Sequence, residues 1–282
     1  DARLVAAAVA AGAGLRRHVV RRIEVRDDLV VLDREIAARA VVGADGAGSV
    51  VRRALGFPAN PDGHLAIAIR GYASTLAGAR QQHIVTSGAR WPGYAWSFPI
   101  GADQASGSPW DARANVGYGE ILRGRPLSRQ HLVDRLHALL PGVADVTDLR
   151  AHHLPLSTRR PPPGRGRMLL AGDALSLINP FTGEGIFYAV LSGALAGTAA
   201  ATGGTPPADR YAAALRRRLG AHLRHSSTAA WLARRRAVVD AAVRAAGADS
   251  RAFRALVDLG LGDGRLDART LARIATSLAA PR

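Results

Sequence analysis

The spacing of apolar and polar positions changes several times along the chain, and each change marks an element. Residues 1–16 carry apolar positions at helical spacing and are expected to form a helix that feeds a strand over 18–25. Strand-like runs follow at DLVVLD and IAARAVVGAD, the first set off by a turn at Arg26-Asp27-Asp28. Within the second run, residues 37–44 are apolar but for Arg39 and are read as one buried strand. That run ends at Asp45-Gly46-Ala47-Gly48-Ser49, and VVRRAL then resumes helical spacing to Gly56. Strand, acidic glycine turn and helix together make an α/β unit.

From Phe57 the period becomes two. HLAIAIRGYAS, QQHIVTS, YAWSFPI and ARANVGYGE alternate apolar with polar residues and predict an antiparallel sheet, separated by clusters such as Gly107-Ser108-Pro109. Residues 128–143 read as an amphipathic helix with Ser128 as N-cap and Pro141 ending it. HHLPLS reads as a short strand, STRRPPPGRGR as a loop, RMLLAGD as a buried strand and EGIFYAVLSGALAGTAAA as a helix. Beyond the break at Gly203-Gly204-Thr205-Pro206-Pro207 the chain reads as helical nearly to its end.

Composition narrows the function classes. The 282 residues are 48% hydrophobic with mean hydropathy +0.02, which indicates a globular chain of one large domain or two modest ones. There is no Cys, which excludes disulfide frameworks, zinc–thiolate sites, iron–sulfur clusters and thiol nucleophiles. The net charge is +16, and all 38 basic residues are Arg. Absence of Lys beside so much Ala and Gly follows genome composition, yet the excess still makes a positive field that favours anionic ligands or an anionic membrane surface. The opening apolar stretch is too short for a membrane span and has no basic leader, and no later stretch is long and apolar enough to span a bilayer. The expectation is a cytoplasmic protein, soluble or peripheral at a membrane.

Candidate chemistry gathers at two places. Gly172-Asp173 closes an apolar strand, and open α/β sheets place ligands at the carboxyl ends of their strands. An acid there is placed to accept hydrogen bonds from ribose or ribityl hydroxyls. Gly183 and Gly185 let the backbone approach a flat or anionic group, and a helix starting near Gly185 aims free N–H groups at it. Ala189, Ser192, Gly193, Ala196 and Gly197 form a small-residue face suited to close packing. The second place is a strand on which Tyr94, Trp96 and Phe98 share one face by the period of two. In a chain with only 5 Tyr, 5 Phe and 4 Trp, that line is either sheet core or the wall of an apolar site.

Other groups carry less. His152-His153 has no carboxylate partners at ligand spacing, so no metal site is expected. Ser157 and Ser192 lack the His and Asp context of a hydrolase. Arg216-Arg217-Arg218 and Arg234-Arg235-Arg236 sit on Ala- and Leu-rich helices and face solvent, anionic headgroups or a diphosphate. Basic residues are not interleaved with aromatics, so no nucleic acid is expected as a partner.

VVGADGAGSVVRRALG resembles the Asp-Gly motif, and LLAGDALSLINPFTGEGIFYA the Gly-Asp motif, of flavoproteins built like the aromatic hydroxylases and the geranylgeranyl reductases. The motifs stand in that superfamily's order with a sheet-rich segment between them. The resemblance implies FAD, with Gly172-Asp173 at the ribityl chain and Asp45 and Gly46 near the ribityl–pyrophosphate region. It implies that Pro180, Thr182, Gly183, Glu184, Gly185 and Ile186 lie against the flavin ring. Hydroxylases usually read Gly-Asp-Ala-Ala-His here, whereas Gly-Asp-Ala-Leu-Ser followed by Asn-Pro-Phe-Thr-Gly-Glu-Gly-Ile resembles the reductase branch. Residues 94–99 likewise resemble that branch's Tyr-x-Trp-x-Phe-Pro signature, although Ile100 stands where many members carry Lys.

By resemblance, Tyr94, Trp96, Phe98 and Pro99 would line an isoprenoid or quinone substrate whose double bonds are reduced, with NAD(P)H or another donor as reductant. Tyr94 is the one named candidate for the proton donor. The alternatives are an FAD-dependent monooxygenase acting on a small aromatic substrate, and a cofactor-free fragment or split-protein subunit. No Gly-x-Gly-x-x-Gly follows a strand anywhere, so the chain is expected to lack the N-terminal βαβ unit that receives the pyrophosphate. The expected fold class is mixed α/β. A partial Rossmann-like FAD-binding domain (1–56 and 156–203) would hold an inserted antiparallel-sheet substrate domain (57–155), with a helical region at 204–282.

Overall fold

The computed structural model describes residues 2–26, 28–74, 76, 81–86, 92–102, 112–203 and 205–279; the expected turn at Gly107-Ser108-Pro109 lies outside them. Helix α1 (Ala2–Ala10) is shorter than the 1–16 reading and buries none of its side chains. Strands β1 (Ile23–Arg26), β2 (Leu29–Leu32) and β3 (Ile36–Ala38) form an antiparallel meander. The first begins at Ile23, five residues later than 18–25 predicts. The cause is Asp33, whose carboxylate accepts the amide N–H groups of Arg21 and Arg22 and contacts the His18 ring, drawing those amides out of any ladder.

The apolar run over 37–44 is two strands, not one. β3 ends at Ala38, and β4 (Val41–Gly43) enters a different sheet beside β10 (Gly164–Arg165) and β11 (Met168–Leu170), in the order β10-β11-β4. Both sheets need apolar residues, and Arg39, the one charged residue of the run, stands where the chain changes ladders. β4 and β11 pair in parallel, with Leu169 opposite Val42 and Leu170 opposite Gly43. Their carboxyl ends therefore lie side by side, and the Ala171 amide donates to the Gly43 carbonyl at 2.9 Å.

Three helices cover this small sheet: α2 (Val50–Ala54), α4 (Ile186–Ala201) and α5 (Pro207–Leu232). Leu169, Leu170, Val51, Tyr188, Tyr211 and Leu219 share the core between them. Gly43 is required where β4 meets α2, because a Cβ there would lie 2.6 Å from that of Val51.

The alternating segment forms one antiparallel sheet of five strands. These are β5 (Leu65–Ser74), β6 (His83–Thr86), β7 (Gly93–Ala102), β8 (Ala112–Ile121) and β9 (Thr147–Pro155), in the order β6-β7-β8-β5-β9. β9 is longer than HHLPLS suggests. Helix α3 (Arg129–Leu139), capped by Ser128 accepting the His131 N–H, packs Leu132 and Leu136 onto Ile69, Ala95, Val116 and Tyr118 of one sheet face. The tail continues with α6 (Arg236–Ala248), α7 (Ser250–Leu261) and α8 (Ala268–Ala279). The architecture is the expected mixed α/β fold with antiparallel sheets and a helical C-terminal region. Among the described residues no helix is long and apolar enough to cross a membrane.

Candidate functional site

Parallel pairing of β4 with β11 brings the two glycine–acid turns together, one after each strand. The two acids are used differently. Asp45 accepts the N–H groups of Val50 (2.6 Å) and Val51 (3.3 Å), and Ser49 accepts that of Arg52, so both satisfy the start of α2. Gly46 has φ +74, and nothing lies within 4 Å of where its Cβ would be. Asp173 is half-buried, and its carboxylate receives no hydrogen bond from any described residue. Burial raises its carboxyl above the usual range, opposed by the charge of nearby His152. Gly172 has φ +55, its N–H donates to Ser192 Oγ at 2.9 Å, and a Cβ on it would press on Ala189. Ser192 is thus a packing acceptor. Of the small-residue face on α4, Ser192 and Ala196 are buried, whereas Gly193 and Gly197 border open space.

The loop over 179–185 closes on itself. The Asn179 amide donates to the Glu184 carbonyl, the Gly183 amide donates to the Asn179 carbonyl, and Asn179 Oδ1 accepts the Phe181 N–H. Gly183 has φ +76, which favours glycine, and Gly185 begins α4 with its would-be Cβ only 3.5 Å from Asp173 Oδ1. The free N–H groups expected at this helix start are partly taken. Glu184 Oε1 accepts those of Ile186 (2.7 Å) and Phe187 (3.1 Å), and Ile186 itself is exposed.

The aromatic strand meets this loop. The Tyr94 hydroxyl donates to the Thr182 carbonyl, and burial, followed by the charge of Glu184, pushes its pKa up to about 12. Tyr94, Trp96 and Phe98 lie on the sheet face away from α3, with ring centroids 5.8 and 6.3 Å apart along the line. Gly117 makes room for the indole, since a Cβ there would lie 2.2 Å from Trp96 Cζ2; Trp96 Nε1 donates to Asn115. Pro99, one residue on, falls on the α3 face opposite Ala114 and so outside this wall. By register, Tyr94 faces Gly119, then Ala68 and His152. His153 points to the other face, which separates the His pair, and among the described residues no group of three His, Asp or Glu could hold a metal.

Two networks escape a reading of the sequence. Arg52 is buried without an acid; it donates to Pro58 O, Asn60 Oδ1 and Ser176 Oγ, and so ties α2 to the turn after Asp173. The second network runs from the tail. Asn179 Nδ2 donates to Leu259 O, Thr182 Oγ1 donates to Gly260 O, and the Tyr188 hydroxyl meets His222 and Gly262 O. A Cβ on Gly260 would lie 2.7 Å from Thr182 Cγ2, so α7 needs glycine to approach the loop. Partners 78 and 80 residues downstream leave no local signal. Arg216, Arg217 and Arg218 are exposed, with Arg218 paired to Asp263; Arg234 to Arg236 are also exposed.

An unpartnered acid beside bare glycine backbone suits a chain of hydroxyls, so the residues present fit the ribityl and ring end of FAD. Comparisons with known proteins support FAD as the cofactor. The chain is 29% identical over 182 residues to a menaquinone reductase of Mycobacterium tuberculosis, a match covering 57% of this chain and 41% of that protein. The chain therefore spans less than half the length of this curated relative. A geranylgeranyl bacteriochlorophyll reductase-like protein from Thermoplasma acidophilum superposes with a TM-score of 0.59 at 18% identity, over 92% of this chain and 65% of that one. OxyS anhydrotetracycline hydroxylase from Streptomyces rimosus gives 0.55 at 25% identity, over 81% and 48% respectively. The FAD binding domain family model matches residues 19–201, more than half of the sequence, and the chain belongs to that family.

Proposed function

We propose that this chain is part of an FAD-dependent oxidoreductase that reduces double bonds of a polyprenyl chain of the geranylgeranyl or menaquinone type. The observation that carries the reading is the hydrogen bond from Tyr94 to Thr182, which joins the aromatic wall to the loop expected at the flavin ring. In this reading residues 1–56 and 156–203 serve the cofactor, 57–155 the substrate, and the tail from 204 braces both. Asp173 accepts from ribityl hydroxyls, and Gly183 to Ile186 offer backbone to the ring. Asp45 acts indirectly, by holding α2 and Gly46 in place. Bound FAD, once reduced by NAD(P)H or another donor, supplies hydride. Tyr94, Trp96 and Phe98 exclude water and align an apolar chain. With its proton committed to Thr182 and its pKa pushed to about 12, Tyr94 is suited to positioning the loop and poorly matched to general acid work at neutral pH. Similarity to menaquinone reductase supports the substrate class.

Mass spectrometry of prenyl substrates incubated with FAD-loaded, reduced protein tests the proposal. Products heavier by two hydrogens are expected. The second reading, supported by the hydroxylase likeness, is oxygen insertion into an aromatic substrate. A product heavier by one oxygen would establish that reading. Failure of the chain to bind FAD alone would leave the split-subunit reading.

A further inference from the structure

The tail helices α6, α7 and α8 border a cleft of about 820 Å3 beside the first turn of α7. Alanines of all three helices form part of its wall, and their short side chains leave the volume open. Four guanidinium groups line it: Arg251 and Arg254 are neighbours along α7, and Arg269 and Arg273 are neighbours along α8. Two acids stand against them, Asp249 in the lining and Asp267 near Arg251 and Arg269 at the start of α8. Both acids are already engaged. Asp249 Oδ1 accepts the N–H groups of Arg251 and Ala252 while Oδ2 meets Arg273 at 3.0 Å, and Asp267 Oδ1 accepts the Thr270 N–H. Those amide hydrogen bonds hold both carboxyls below their usual range, so both acids are ionised at neutral pH. Among the described residues Arg254 pairs with no carboxylate. Four cations against two carboxylates leave the cleft two positive charges in surplus. A phosphate monoester carries close to two negative charges at neutral pH, and its oxygens accept forked guanidinium donors.

We propose that this cleft binds the phosphate monoester group of a ligand. Arg254 and Arg251 of α7 hold the phosphate from one side and Arg269 of α8 from the other. Arg273, tied to Asp249, joins the two helices and keeps the cationic rows facing each other. The site is built wholly from the tail, outside residues 19–201 that match the FAD binding domain family, and it does not depend on whether the chain reduces prenyl groups.

Equilibrium titration of the full chain at fixed ionic strength, without FAD, tests it. The probes are glycerol 3-phosphate and phosphatidylcholine vesicles containing phosphatidic acid. Saturable binding is expected, and Arg254→Gln and Arg269→Gln should each weaken it at least about tenfold, as loss of a charge-assisted contact implies. Arg217→Gln removes the same charge from an exposed position on α5 and should leave binding unchanged. All three positions are exposed, so the variants are expected to fold. Binding of glycerol 3-phosphate with this dependence assigns the phosphate to a soluble ligand. Binding of the vesicles alone, with the same dependence, assigns it to a lipid headgroup and supports the site equally. Absence of saturable binding to either probe, or equal weakening by Arg217→Gln, would overturn the proposal.

Discussion

Asp173 is half-buried and Arg52 buried, and the two side chains are satisfied in opposite ways. The Asp173 carboxylate has no hydrogen-bond partner among the described residues, and burial holds its carboxyl above the ordinary value of 3.8 against the charge of His152. The folded chain therefore keeps this proton to higher pH than the unfolded chain does. Stability at this position is full below the ordinary value and is lost as pH rises through the folded one. Asp173→Asn should raise the urea midpoint at neutral pH, with the gain fading in acid, while FAD affinity falls about tenfold or more. A variant whose midpoint is unchanged at neutral pH contradicts the account. Arg52, by contrast, has each of its three side-chain nitrogens donating to oxygen. Arg52→Met leaves Pro58 O and the Asn60 and Ser176 side chains short of a donor, at a cost of about 3 kcal/mol. Arg52→Lys should rescue little, because an ammonium cannot reproduce the fork. Chemical denaturation of the three proteins side by side gives the comparison.

At the scale of elements, the loop over 179–185 is held from two sides, by Tyr94 of β7 and by the end of α7. Gly260→Ala brings a methyl against Thr182, and the expected result is about 1–3 kcal/mol of lost stability together with weaker FAD binding. If thermal unfolding shifts but an FAD titration does not, α7 is only a scaffold. Legibility also divides at this scale. Tyr94, Trp96 and Phe98 were assignable to one face because a strand repeats every two residues, and the same rule puts Pro99 on the other face. Gly172-Asp173 and Gly183 to Gly185 were readable because each turn is contiguous. The switch of ladders between Ala38 and Val41 has one local mark, the charge of Arg39, which the apolar residues on both sides of it obscure. The Arg52–Asn60–Ser176 network joins residues up to 124 positions apart, and a local period carries no such information.

For the whole molecule, charge is the property that reaches furthest. With a net charge of +16 and exposed Arg216, Arg217 and Arg234 to Arg236, the chain should sediment with vesicles rich in anionic lipid and not with neutral ones. High salt should release it, since surface attraction is screened. Retention at high salt would point instead to apolar insertion. The clamp on the loop has a consequence in time. Translation advances at about 5–20 residues per second, so the loop waits roughly 4–16 s for Leu259, whose carbonyl lies 80 positions further on. During that interval Asn179 and Thr182 have no tail to grip. A nascent chain thus completes its small mixed sheet and both glycine–acid turns before the clamp on the loop can form. If the loop does hold the flavin ring, cofactor capture waits for the tail, and ribosome-bound chains stalled before Leu259 should take up flavin poorly.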